Sequence, residues 1–207
     1  MNKFLDFVKE KVRYVFGLFA KYLHRVTGGV LTPNNITIAG LLAHLPIAYF
    51  IAQQKNIIAA LMLVFFGLFD TLDGALARVQ KKSGSGGMLL DASTDRMKEI
   101  MLYTGVAWAL IGSDHPHRAI VAVIACGSSM LVSYVKAKGE TAVKDSNLSP
   151  NEVNKLFADG IMRFEVRMFF LVVGLLTNQL YFAIIGIAEG STMTAIARLV
   201  RISRKLK

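Results

Sequence analysis

Asp70-Thr71-Leu72-Asp73-Gly74-Ala75-Leu76-Ala77-Arg78 and, eight residues further on, Gly87-Met88-Leu89-Leu90-Asp91-Ala92-Ser93-Thr94-Asp95 place four aspartates within 26 residues of otherwise apolar chain. The first pair is spaced i, i+3 and the second i, i+4, so on helices each pair shares one face. A carboxylate at the centre of a membrane-spanning helix costs roughly 2.5–3.5 kcal/mol on insertion scales. Four of them close together require cationic neutralisation, and a pair of divalent metal ions is the obvious source.

The surrounding sequence is that of a membrane protein. Of 207 residues, 54% are hydrophobic, and the mean hydropathy of +0.47 is too high for an ordinary soluble domain of this size. Apolar runs cover residues 34–53, 56–76, 88–112, 117–135, 162–177 and 179–199, most of them close to the roughly 20 residues that a bilayer requires. Ahead of them, residues 3–26 have helical period. Phe4, Phe7, Val8, Val12, Val15, Phe16, Phe19, Leu23 and Val26 are apolar, with Lys3, Lys9, Arg13, Lys21 and Arg25 largely between them. A basic amphipathic helix of this kind lies in the membrane interface. Gly28-Gly29 ends it, and Thr32-Pro33 supplies an N-cap and a first helical residue for the next helix. The expected fold is therefore an all-α integral membrane protein, with a juxtamembrane amphipathic helix in residues 1–31 and six transmembrane helices in 32–207.

The basic residues orient it. With the N-terminus cytoplasmic, inner segments carry Arg78, Lys81, Lys82, Lys136, Lys138, Lys144, Lys155 and the cluster from Arg198 to Lys207. Outer loops carry only Lys55 and Arg118, as the positive-inside rule demands. The net charge of +10 then reflects topology and anionic headgroups, and no nucleic-acid partner is expected. Cys126, the only cysteine, sits in an apolar helix as a small hydrophobe, and the charged N-terminus has no signal-peptide core. His115 and His117 belong to an outer loop as ordinary polar residues. Ser83-Gly84-Ser85-Gly86-Gly87 reads as a flexible cytoplasmic turn joining the two acidic spans, which brings all four carboxylates to the cytoplasmic membrane edge. Residues 139–156 form the longest polar segment, with a helix start at Pro150.

Buried ion pairs with Arg78, Arg96 and Lys98 would be the bland explanation of the cluster. Intramembrane acids are functional by default, however, and this many exceed what structural pairing needs. Oxygen-only ligands point to hard ions, Mg²⁺ or Mn²⁺. Two such metals beside a polyanion suggest phosphate chemistry. Gly74, Ala77 and Gly87 would let backbone and substrate approach closely, and Arg78 could hold a phosphate bidentately.

The pattern D-x-x-D-G-x-x-A-R, eight residues, G-x-x-x-D-x-x-x-D resembles the signature of the CDP-alcohol phosphotransferases, and Asp70, Asp73, Gly74, Ala77, Arg78, Gly87, Asp91 and Asp95 match its fixed positions. The resemblance implies a six-helix catalytic membrane domain, usually homodimeric, active at the cytoplasmic interface in phospholipid biosynthesis. It implies transfer of a phosphatidyl-type group from a CDP-linked lipid (CDP-diacylglycerol or CDP-archaeol) to an alcohol, with release of CMP. It further implies that Asp70, Asp73, Asp91 and Asp95 ligate two divalent cations, with Asp95 the usual general base. Gly74, Ala77, Arg78 and Gly87 would line the nucleotide pocket, together with Asn34 and Thr37 of a P-N-x-x-T-like segment.

A second cluster concerns the acceptor. Ser133-Tyr134-Val135-Lys136-Ala137-Lys138-Gly139-Glu140 is similar to a segment of the branch that uses inositol phosphate, although Lys138 and Gly139 depart from the usual Arg and Ala. Arg163 and Arg167 share a face one helical turn apart, as do Ser133 and Lys136. Together they are expected to form a cationic pocket beside the metals for a phosphorylated acceptor, inositol phosphate or alternatively glycerol 3-phosphate. Other classes that use intramembrane acids are aspartate-rich prenyltransferases and cation or proton transporters.

Overall fold

The computed structural model describes residues 3–144 and 160–205. Among them the chain forms α1 (Lys3–Val26), α2 (Pro33–Ala52), α3 (Asn56–Gly67), α4 (Phe69–Val79), α5 (Ser85–Ile111), a 3₁₀ turn (Pro116–Arg118), α6 (Ala119–Lys144), α7 (Phe164–Leu176) and α8 (Leu180–Lys205), with no strand. The helix start expected at Pro150 lies outside the described residues.

Among the described residues, four stretches are long and apolar enough to cross a membrane: Pro33–Ala52, Asn56–Val79, Pro116–Ala142 and Leu180–Lys205. The other two expected spans differ for separate reasons. Helix α5 has the length but carries Asp91, Asp95, Arg96, Lys98 and Glu99, and α7 has only 13 residues. Leu61, Phe65, Ile120, Val123, Phe182 and Met193 are each more than half exposed. So much outward apolar surface suits acyl chains and would be an aggregation hazard in water.

Local chemistry sets the helix boundaries. The α1–α2 turn takes Gly28 and Gly29 through positive φ, and a Cβ on Gly29 would stand 3.0 Å from the His24 ring. The Thr32 hydroxyl then accepts the Asn35 N–H at 3.3 Å, and Pro33 starts α2. The span expected over 56–76 is interrupted at Leu68, between α3 and α4. There the Leu68 N–H reaches back three residues to the Phe65 carbonyl at 3.2 Å, a local tightening of the turn. Helix α5 begins at Ser85, so Gly86 and Gly87 form its first turn instead of belonging to a flexible loop. Helix α6 runs on to Lys144, well past the apolar run, because its polar end continues in helical register with Lys136 and Glu140 paired at 3.8 Å.

The chain divides into two compact units, one of Met1–Ile47 and Leu61–Met101, the other of Ala48–Ala60 and Leu102–Lys207. In the first, α1 packs on α4, and Ala20, Ile36, Leu72, Ala75 and Leu76 form a core flanked by Phe16, Leu23 and Phe69. The Gln80 side chain at the end of α4 donates to the Leu31 carbonyl at 2.7 Å and fixes the turn before α2. In the second unit α8 packs against both α6 and α7. There Gly105 of α5 meets the end of α2 so closely that a Cβ would lie 2.5 Å from the Ala48 carbonyl oxygen.

Candidate active site

The start of α2, helix α4 and the start of α5 enclose a cleft of about 370 Å³ within the first unit. Its walls include Asn34, Thr37, Asp73, Gly74, Ala77, Arg78, Gly87 and Asp91, together with Pro33, Lys82, Ser83, Gly84 and Met88. All six residues expected to contact a nucleotide line it, and so does one aspartate from each acidic pair.

Asp73 is the buried carboxylate of this cleft, 7% exposed. It is held from across the helix pair, because the Thr37 hydroxyl donates to its Oδ2 at 2.6 Å. Pro33 and Thr37 share a turn of α2, so the N-terminal punctuation of that helix also places the donor. Asp91 is exposed on the opposite wall. Arg78 Nη1 lies 3.7 Å from where a Gly74 Cβ would stand, so the guanidinium lies back along its own helix beside Gly74. Beside Gly87 there is open space, and any crowding there comes from what enters the cleft.

The remaining two aspartates are joined by a lysine. Lys98, fully buried on α5, directs its ammonium to Asp70 Oδ1 at 2.5 Å and to Asp95 Oδ1 at 3.4 Å. One turn of α5 thus carries Asp95 and its cation together, while a second pair, half-buried Arg96 with buried Glu99 at 2.5 Å, sits alongside. Among the described residues no three His, Cys, Asp or Glu side chains stand close enough to hold one metal ion. Asp73 and Asp91 line the cleft, and Asp70 and Asp95 flank the ammonium.

The second unit contains the expected acceptor residues, Ser133, Lys136 and Lys138 on α6 and Arg163 and Arg167 at the start of α7. Lys136 and Lys138 are exposed on α6, Lys136 beside Glu140, and Ser133 is half-buried. Arg163 is exposed at the start of α7, where its carbonyl accepts the Arg167 N–H. Arg167 is buried and donates to the Met162 carbonyl at 2.5 Å.

A further arginine, Arg198 of α8, is also buried. It donates to the Val132 carbonyl at 3.0 Å and lies within electrostatic range of Arg167. Gly160 and Thr194 adjoin it, the Gly160 Cβ position being 3.0 Å from both Arg198 Nη2 and Thr194 Cγ2. Charge counting hides Arg198 among the C-terminal topology residues. The legible signal was the polar stripe Ser191, Thr194, Arg198 at helical spacing on an apolar helix. Lys98 is signalled by its i, i+3 spacing from Asp95.

Comparison with known proteins follows the same residues. Residues 30–201 match the sequence model of the CDP-alcohol phosphatidyltransferase family. The chain is 30% identical over 179 residues to the phosphatidylinositol phosphate synthase of Corynebacterium glutamicum, covering 82% of this chain and 77% of that one. It is 28% identical over 178 residues to the archaetidylinositol phosphate synthase of Pyrococcus horikoshii, covering 86% of each. The crystal structure of the Mycobacterium tuberculosis phosphatidylinositol phosphate synthase with CDP-DAG bound matches with a TM-score of 0.77 at 26% identity, over 91% of this chain and 94% of that one. A crystal structure of that synthase in complex with manganese and citrate matches with a TM-score of 0.76 at 26% identity, over 91% and 88%.

Proposed function

The chain belongs to the CDP-alcohol phosphatidyltransferase family and is an integral membrane enzyme, and from that premise we propose that it makes an inositol-phosphate lipid from a CDP-linked lipid and inositol phosphate, releasing CMP. The observation that carries this reading is the cleft, where Asn34, Thr37, Gly74, Ala77, Arg78 and Gly87 converge with Asp73 and Asp91. Relatives from a bacterium and an archaeon that are both named inositol-phosphate lipid synthases support the choice of acceptor. The donor is a CDP-linked lipid, CDP-diacylglycerol or CDP-archaeol.

The carboxylate arrangement suits Mg²⁺ or Mn²⁺. Mg²⁺ is commonly bound by one or two carboxylates plus substrate phosphates, without an all-protein cage, and paired aspartates match that habit. Asp73 with Asp91 and Asp70 with Asp95 would hold the ions, and the ammonium already seated between Asp70 and Asp95 marks that pair as a place for a cation. When bound, such ions neutralise the diphosphate and stabilise charge on the leaving CMP. The chain's own residues do the rest. Thr37 holds Asp73 in place, and Arg78 is the candidate fork for a phosphate. Asp95 takes the proton of the acceptor hydroxyl as its oxygen forms the new P–O bond and the diphosphate P–O bond breaks. Arg167 and Arg198, with Ser133, Lys136, Lys138 and Arg163 from the same unit, form the basic surface for the acceptor's phosphate.

The same reading extends to topology. Six crossings are proposed: α2, α3 with α4, α5, the 3₁₀ turn with α6, α7 and α8, with both termini cytoplasmic. The charges of α5 are consistent with a crossing, because Lys98, Arg96 and Glu99 are paired and residues 100–111 are uncharged. Helix α1 is proposed to lie in the interface. Its Ala20 side packs on α4 while Tyr14, Leu18, Phe19 and Tyr22 stay open to lipid. A homodimer is expected.

The test is CMP release by purified protein with Mg²⁺ and CDP-lipid, offered inositol phosphate, glycerol 3-phosphate and serine in turn. Turnover preferring inositol phosphate is expected. Preference for glycerol 3-phosphate would move the enzyme to another branch of the family, and preference for serine would refute the basic acceptor site.

A further inference from the structure

We propose that Lys98 is a built-in counter-cation of the aspartate cluster, a positioning residue that clamps Asp70 to Asp95 and sets how tightly the cluster takes up divalent cations. The proposal rests on the metal reading above and concerns a residue outside the signature motif. Three observations carry it. The Lys98 side chain is 1% exposed, so its ammonium has given up water and must be compensated by protein. Its contacts run to one aspartate of each signature pair, Asp70 on α4 and Asp95 on α5, and so tie the two helices together at the site. The other cation on this turn of α5, Arg96, is engaged by Glu99.

An ammonium carries three N–H donors and no fork, so it can hold two carboxylates by one oxygen each and leave their other oxygens available. It also cancels one of the four carboxylate charges. A unit positive charge a few ångströms from a divalent cation opposes that cation's binding, and more strongly where water is excluded. With Lys98 in place, the carboxylates are ordered but moderate in affinity, so strong cation binding awaits the diphosphate of the substrate.

The experiment is an equilibrium titration of purified protein with Mn²⁺, free Mn²⁺ being read by electron paramagnetic resonance without nucleotide present. Wild type is compared with Lys98→Arg, Lys98→Gln and Lys98→Met. Lys98→Gln and Lys98→Met should bind Mn²⁺ at least about tenfold more tightly, and Lys98→Arg should stay within about threefold of wild type. Glutamine keeps volume and hydrogen bonding, so it serves if the methionine variant fails to fold. Recovery of either neutral variant only from Mn²⁺-containing buffer also supports the proposal. Wild-type or weaker Mn²⁺ affinity in Lys98→Gln overturns it while leaving the metal reading standing. Failure of the wild type to bind Mn²⁺ even when CDP is added overturns the metal reading and this proposal together.

Discussion

At the residue scale, the cleft depends on a hydroxyl that the signature motif does not include. Thr37 is the donor to Asp73 Oδ2 at 2.6 Å, and Asp73 is almost wholly buried. Valine would keep the shape of the side chain and remove the donor, and a buried acceptor left short of a partner costs about 1–3 kcal/mol. Thr37→Val should therefore lower kcat/KM for the CDP-lipid by about tenfold and leave the acceptor KM little changed. An equal change in the acceptor KM would place Thr37 in a different role. Arg198 gives the converse prediction. Lysine in its place keeps the charge and loses the planar fork, so Arg198→Lys should raise the KM for inositol phosphate several-fold with the CDP-lipid KM constant. If the acceptor KM does not move, Arg198 acts only as a tie between α8 and the Val132 carbonyl of α6. The four aspartates were legible in the sequence because acids in apolar helices need a reason to be there. Arg198 and Lys98 were less so: helical spacing from Thr194 and from Asp95 marks them, but a count of charges does not separate a buried cation from one that flanks a membrane.

At the scale of elements, apolar runs located α2, α3 with α4, α6 and α8, because lipid and protein interior demand the same composition. Boundaries were harder to read. The polar end of α6 stays helical beyond its apolar run, since its charged side chains sit in helical register where hydropathy no longer speaks. The break at Leu68 lies in uniformly apolar sequence, and only a local three-residue hydrogen bond marks it. Gly86 and Gly87 read as a loop but open α5, a position where the backbone N–H groups lack helical partners in any case. Close helix approaches were also silent. At Gly105 even a methyl group would collide with the Ala48 carbonyl. Gly105→Ala should destabilise the protein by about 1–3 kcal/mol, read as a lower Tm in detergent, whereas an unchanged Tm would mean that α2 and α5 separate easily there.

At the scale of the whole molecule, the proposed topology makes a prediction independent of chemistry. In a Cys126→Ser background, cysteine at Ser83 should react with an impermeant maleimide only from the cytoplasmic side, and cysteine at His115 only from the other. Labelling of both from one face would remove the crossing assigned to α5. The central claim is that the cleft bearing Asp73 and Asp91 passes the lipid-bearing phosphoryl group of a CDP-linked lipid to the acceptor hydroxyl, with CMP as the leaving group. Its most direct measurement is CMP formed from CDP-lipid and inositol phosphate by wild type and by Asp91→Asn, each with Mg²⁺ supplied and then chelated. The account predicts CMP from wild type with Mg²⁺, none after chelation, and none from Asp91→Asn. CMP release that persists in Asp91→Asn, or survives chelation, would contradict it.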